Sequence, residues 1–223
     1  MFSYSIQMVF YFDCCDSRFV VFMGKDKYEN EELLKYAFPE DVWFHVDSLS
    51  SAHVYLRRPF GLKLVDIPDD VIDEMCQLVK QNSIEGCKAE SADIIYCEFG
   101  NLVKTKGMQA GAVSYKNEKD NHYVRGVKKD RDVLKRIERS REEKFPDLPR
   151  LRQDRDLEHA HREKKRLKDI EAAKQADKAK AKEADDLLHY VAFQNRSELK
   201  QSSKAWAGDG TVEHCKQVES DFM

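Results

Sequence analysis

The stretch GKDKYENEELLKYAFPEDVWFHVDSLSSAHVYLRR, Gly24 to Arg58, sets one helix beside strand-forming sequence and decides the fold class. Asp26 followed three residues later by Glu29 has the spacing of a capping box, with a short acid positioned to accept from the first free amides. Leu33, Leu34, Ala37 and Phe38 then recur at helical spacing, and Pro39 ends the run because it has no N–H to donate. Val42–Val46 carries Trp, Phe and Val, residues that suit a pleated surface. Ala52–Leu56 reads as a second strand or a helical turn; the alternation is too short to decide.

Outward from this stretch, Met8–Phe12 and Phe19–Met23 read as short buried strands joined by a turn at 13–18. Pro68 opens a helix with Val71, Ile72, Met75, Leu78 and Val79 on one face and acids in its first turns. A strand at 93–99, a Gly- and Lys-bearing loop at 104–111 and a final strand pair, 112–115 with 123–126, complete the body. The expectation is an α+β domain over 8–127, a mixed sheet with flanking helices, preceded by an extension at 1–7. A long charged C-terminal helical arm is expected over 128–190, broken near 145–149 by Pro146 and Pro149, with a disordered tail at 191–223. Val133, Leu134 and Ile137 could dock one helical face of that region on the body, and the later leucines sustain no heptad.

The 223 residues hold 38 Lys+Arg against 41 Asp+Glu, but the charge is uneven. Residues 125–182 contain 21 basic and 13 acidic side chains, which leaves 17 basic and 28 acidic elsewhere. A basic arm on an acidic body suggests an anionic partner for the arm. The six cysteines form no C-x-x-C pair, so neither a zinc ribbon nor a finger is expected, and reduced thiols in the cytoplasm or nucleus are the plain reading. No run approaches the roughly 20 apolar residues of a membrane span, and the first twelve residues lack the basic start of a signal peptide. No metal, cofactor or small-molecule substrate is indicated.

The polar residues of the opening stretch admit two readings. In the first, Asp26 and Glu29 cap a helix, His45 sits on a sheet with its tip in water, and the serines form a turn. In the second, Gly24, Lys25, Lys27, Asn30, His45, Ser51, His53 and Tyr55 converge where two strands end and a helix begins, and form a nucleic-acid grip. Gly24 would let a phosphate approach the backbone, the first amides of the helix would favour an anion, and Lys25 and Lys27 would add charge. Asp26 and Glu29 compete for those amides. His45 and Tyr55 are candidates to stack bases; of the neighbours Trp43 and Phe44, at least one must be core, because they face opposite sides of a strand. On the arm, Arg162, Lys164, Lys165, Arg166 and Lys168 are dense enough to contact phosphates, although a solvated face or a protein-docking helix reads equally well.

The order Gly24-Lys25-Asp26, Asn30-Glu31, Asp41-Val42-Trp43-Phe44-His45 and Ser51-Ala52-His53-Val54, with Gly111-Ala112-Val113-Ser114-Tyr115, resembles the NFACT-R domain of ribosome-quality-control factors. Met8-Val9-Phe10-Tyr11-Phe12, Phe145-Pro146-Asp147-Leu148 and the final Asp221-Phe222-Met223 make the chain similar to the coiled-coil domain-containing protein 25 family. The resemblance covers nearly the whole chain. It implies a nucleic-acid-binding module of RNA or ribosome biology, present here without the companion domains of the larger factors. It also allows a peripheral or plasma-membrane role, as a sensor of extracellular DNA that signals through a cytoplasmic partner.

Three functions follow as expectations. The preferred one is a non-enzymatic protein binding RNA or DNA through its body. The second is a nuclease or other hydrolase in which His45 and His53 work with Asp41 or Asp47, residues 41, 45 and 47 sharing one strand face. The third is an adaptor, bound to a ribosome or signalling protein through the arm.

Overall fold

Two crossover connections build the main sheet. In the computed structural model, which describes residues 8–206, 216, 217, 219 and 220 (side chains of 198–206 excepted), the chain forms β1 (Val9–Phe12), β2 (Val20–Gly24), α1 (Lys27–Tyr36), β3 (Asp41–Val46) and β4 (Val54–Arg57). It continues with α2 (Asp69–Gln81), β5 (Ser91–Glu98), β6 (Leu102–Val103), β7 (Ser114–Tyr115) and β8 (His122–Lys128). Last come α3 (Arg131–Arg139), β9 (Glu142–Lys144) and α4 (Leu148–Trp206). The seven-stranded order is β8-β5-β3-β4-β2-β1-β9, and β6 pairs with β7 separately.

Helix α1 carries the chain from β2 to β3, and α2 carries it from β4 to β5. The members of each pair run in the same direction, yet a third strand lies between them: β4 in the first case, β3 in the second. Each neighbouring pair is therefore antiparallel. The α+β class with flanking helices and a long charged C-terminal helix is as expected, but the sheet is not mixed at its pairings. Alternating strands and helices do produce same-direction strands; a split β-α-β arrangement keeps them from touching.

Both faces of the sheet are covered. Phe10, Phe12, Val42, Phe44 and Val54 pack under α2, whose Val71, Met75, Leu78 and Val79 are fully buried, and Ile137 of α3 joins them. Val9, Phe22, Trp43, Tyr55 and Ile95 face the other way, under Leu33 and Leu34 of α1 and Leu148 at the start of α4. At about 25 cal/mol per Å2 of apolar area, these two layers dominate the stability of the domain.

The body extends past 127. β8 runs to Lys128, Ile137 of α3 is 0% exposed, and β9 pairs along β1 with Val9 opposite Lys144. The Pro-rich segment near 145–149 is where the chain leaves β9 and enters α4. Pro149 falls in the first helical turn, where its missing N–H has no partner to lose. Residues 191–206, expected as part of a disordered tail, belong to α4. Residues 1–7, 207–215, 218 and 221–223, which include the N-terminal extension and most of the remaining tail, lie outside the described residues. The chain divides into two units, up to Glu158 and from His159 onward. Within the first, Arg152 donates to the Ala37 carbonyl and Arg155 pairs with Glu40, fastening the opening turns of α4 to the end of α1. Among the described residues no helix is long and apolar enough to cross a membrane.

Candidate nucleic-acid interface

The end of β2, the start of α1, the turn from β3 to β4 and the loop before β7 enclose a cleft of about 430 Å3. Gly24, Lys25, Lys27, Asn30, His45, Ser51 and His53 line it, together with Asp26, Ser50, Ala52 and residues 110–112. Seven of the eight body residues named from sequence thus meet in one concavity.

Its floor is a hydrogen-bonded chain. The Tyr55 hydroxyl donates to Asn30 Oδ1 at 2.7 Å, which fixes the orientation of the amide. Asn30 Nδ2 then donates to His53 Nδ1 at 3.0 Å, and Trp43 Nε1 donates to the same nitrogen at 2.8 Å. An indole N–H can only donate, so His53 Nδ1 is an acceptor and the ring proton sits on Nε2. A second proton would face two N–H groups in a buried place. Burial, followed by the charge of His45, pushes the His53 pKa down to about 3, against a weaker opposing pull from the Gly111 backbone.

His45 stacks on Trp43, with ring centroids 5.3 Å apart and planes 7° from parallel, and meets His53 edge-on at 5.1 Å. Its Nδ1 lies 2.7 Å from the Val46 carbonyl oxygen, which can only accept, so Nδ1 carries the proton. Burial lowers its pKa, opposed by the Val46 and Ser51 backbone. Ser51 Oγ accepts from the Val46 amide at 3.0 Å and holds the β3–β4 turn closed.

At the rim, Lys25 and Lys27 are exposed; the Lys27 ammonium sits 5.2 Å from the Tyr28 ring centroid. The start of α1 is already occupied. Asp26 Oδ1 accepts from the amides of Tyr28 (2.8 Å) and Glu29 (3.0 Å), so these donors do not await a phosphate. Glu29 reaches the amides of Lys25 and Met8 rather than closing a full capping box. Gly24 is explained locally as well: a Cβ there would lie 3.1 Å from the Asn30 amide nitrogen, so the missing side chain admits α1 rather than a phosphate.

The outer wall depends on two residues that sequence reading did not single out. Glu31 Oε1 accepts from Lys104 Nζ and from the Gly111 amide, each at 2.7 Å. Lys104 Nζ also donates to the carbonyls of Gln109 and Ala112, each at 2.8 Å. One ion pair therefore ties the loop to α1, and the ammonium and amide together hold the Glu31 carboxyl below its usual range despite burial. The adjacent Asn30-Glu31 was the available signal; its partner lies 73 residues away in the chain.

Three expectations need correction or restatement. Tyr55 is 0% exposed and stacks within the core on Phe22 (centroids 5.2 Å, 13°), so it offers no face to a base. Trp43 and Phe44 do face opposite sides, but both are buried, at 1% and 0% exposed, because both sheet faces are covered. Asp41 does not join His45: it is fully buried, accepts from Arg57 at 2.7 and 2.9 Å and from the Phe38 amide at 2.7 Å. Among the described residues, no group of three or more His, Cys, Asp or Glu could hold a metal ion. On α4, Arg162, Lys165 and Arg166 share one side with Asp169, while Lys164 and Lys168 lie beside Glu163 and Glu171. Arg166 pairs with Glu163 at 2.6 Å, so the arm cations are interleaved with acids.

An antiparallel sheet clad by helices, with a basic-rimmed polar cleft at its strand ends, is the architecture to compare with known families. Residues 8–117 match the family model described as the NFACT protein RNA binding domain. The chain belongs to the coiled-coil domain-containing protein 25 family. It is 54% identical over 149 residues to the coiled-coil domain-containing protein 25 homolog of Dictyostelium discoideum, covering 67% of this chain and 72% of that one. It is 43% identical over 186 residues to coiled-coil domain-containing protein 25 of Mus musculus, covering 82% and 89%. Among solved structures, the C-terminal part of the fibronectin/fibrinogen-binding protein from Streptococcus suis superposes on 57% of this chain and 48% of that one, with a TM-score of 0.48 and 23% identity.

Proposed function

We propose that this protein binds RNA without transforming it, and that the cleft between α1, the β3–β4 turn and residues 110–112 is where the polynucleotide is held. The supporting observation is convergence: Lys25, Lys27, Asn30, His45, Ser51 and His53 come from three separate segments and line one cavity, in a region whose family description is RNA-binding. RNA and DNA present the same phosphates to the rim lysines; the family description favours RNA. The basic residues of α4 add phosphate contacts of the sequence-independent kind. The hydrolase alternative draws no support from Asp41, whose oxygens are engaged by Arg57 and Phe38, or from His53, whose Nδ1 is saturated with donors.

The test is fluorescence anisotropy on labelled RNA over a range of salt, followed by electrophoresis of the same RNA after incubation with Mg2+ or Mn2+. Affinity should fall steeply with salt, Lys25→Glu and Lys27→Glu should each weaken it, and the RNA should stay intact. Affinity indifferent to salt and to both substitutions, or cleavage abolished by His45→Ala, would overturn the reading.

A further inference from the structure

The cleft is one end of a row that crosses the sheet. Antiparallel register puts His45 opposite Ile95, and Ile95 opposite Tyr123; residues opposite one another share a face. Ile95 is buried, with Tyr115 packed against the same cluster, so the row resurfaces at Tyr123, 43% exposed on the outermost strand β8. The Arg125 guanidinium lies 4.9 Å from the Tyr123 ring centroid. Its pair with Asp93, at 2.8 Å, is open to solvent on both sides and so contributes little that a phosphate could not replace.

A lone exposed tyrosine is ordinary on a protein surface. This one differs in company and place. It has a guanidinium against its ring, lies on the cleft side of the sheet, and is separated from His45 by two strand spacings, about 10 Å. Neighbouring nucleotides of an unstacked strand cover such a span. An aromatic ring with an adjacent cation, near a basic-rimmed cavity, is the equipment of single-strand binders: the ring takes a base face and the cation a phosphate. The charge of Asp47 also reaches Arg125 through space, and it is a carboxylate that the phosphates must avoid.

We propose that Tyr123 and Arg125 form a second contact for single-stranded RNA, with Tyr123 stacking a base and Arg125 holding a neighbouring phosphate of a strand that also enters the cleft. This rests on the cleft reading above. A duplex keeps its bases paired and offers Tyr123 no base face, so unpaired RNA is the preferred ligand.

The experiment compares the full-length wild type with Tyr123→Ala, Tyr123→Phe, Arg125→Gln and Lys25→Glu. Each is titrated into an unstructured labelled RNA of about ten nucleotides, within the site sizes single-strand binders cover, and into its annealed duplex. Circular dichroism confirms folding, which the exposure of Tyr123 protects. Tyr123→Ala should weaken single-strand binding about fivefold or more, Tyr123→Phe should stay within about twofold of wild type, and the duplex should bind more weakly. Arg125→Gln should lower the slope of log K against log salt by about one. If wild type binds and Lys25→Glu weakens it while Tyr123→Ala does not, the second contact is refuted and the cleft reading stands. Equal affinity for duplex also overturns the second contact. If wild type binds neither RNA, the cleft reading fails and this inference falls with it.

Discussion

Trp43 aims its indole N–H at His53 Nδ1 from 2.8 Å, and so decides which nitrogen of that histidine carries the proton. The pair joins the core on one side to the cleft on the other.

Stability should depend on pH through His53. Its unfolded pKa is near 6.5 and its folded pKa about 3, so between those values the unfolded chain holds the extra proton. Stability is therefore complete above about 6.5 and is lost as pH falls toward 3, by a few kcal/mol over the window. His53→Asn, which keeps an acceptor for Trp43, should flatten this part of a melting-temperature profile. A variant profile as steep as that of wild type would contradict the assignment.

The Glu31–Lys104 pair should hold the cleft wall without carrying the fold. Both side chains are about one-third exposed, at 31% and 27%, so Glu31→Gln should cost only about 1 kcal/mol in urea unfolding. Amide exchange at residues 109–112 should nevertheless rise several-fold, because the Gly111 amide loses its charged acceptor. RNA affinity should drop in parallel.

Asp41 should show the opposite behaviour. It is fully buried against Arg57, whose guanidinium carbon lies 3.4 Å from the Phe38 ring centroid. Asp41→Ala strands a half-buried cation and should cost about 3–5 kcal/mol, measured by chemical unfolding. At temperatures where the variant stays folded, its RNA affinity should match wild type.

Asp26 offers a separation of stability from binding. Asp26→Ala should destabilise by about 1 kcal/mol, because the amides of Tyr28 and Glu29 lose their cap. Asp26→Ser keeps an acceptor there and removes a negative charge beside Lys25 and Lys27. It should leave stability within a few tenths of a kcal/mol and tighten RNA binding about twofold. Weaker binding by the Ser variant would mean that Asp26 itself contacts the ligand.

The parts legible in sequence were those with strong local signals. The Asp26 cap, the Leu33-Leu34 stripe, the α2 face and the apolar strands announce themselves by spacing, and the polar set of 24–53 does meet. Strand β9 was not legible: Glu142-Glu143-Lys144 has no apolar alternation, and only the backbone edge of β1 makes it a strand. Charge dominates helix α3 and gives it the look of the arm, although Leu134 and Ile137 are enough to anchor it on the body. The expected exposure of Tyr55 failed because a one-residue view cannot know that its strand is covered on both faces. Glu31 and Lys104 were hidden by the length of chain between them.

The interleaved strand order bears on how the chain comes off the ribosome. β4 must slot between β2 and β3 after both have been made, and β3 separates β4 from β5 in the same way. β1–β2 and β3–β4 can close as hairpins, but setting β4 against β2 and β5 against β3 requires pairings that each reach across a helix and a strand. Such distant pairings slow folding, and the binding cavity, which needs residues 110–112, cannot exist before its last wall has been synthesised. An incomplete nascent chain is therefore blind to the ligand that the finished domain grips.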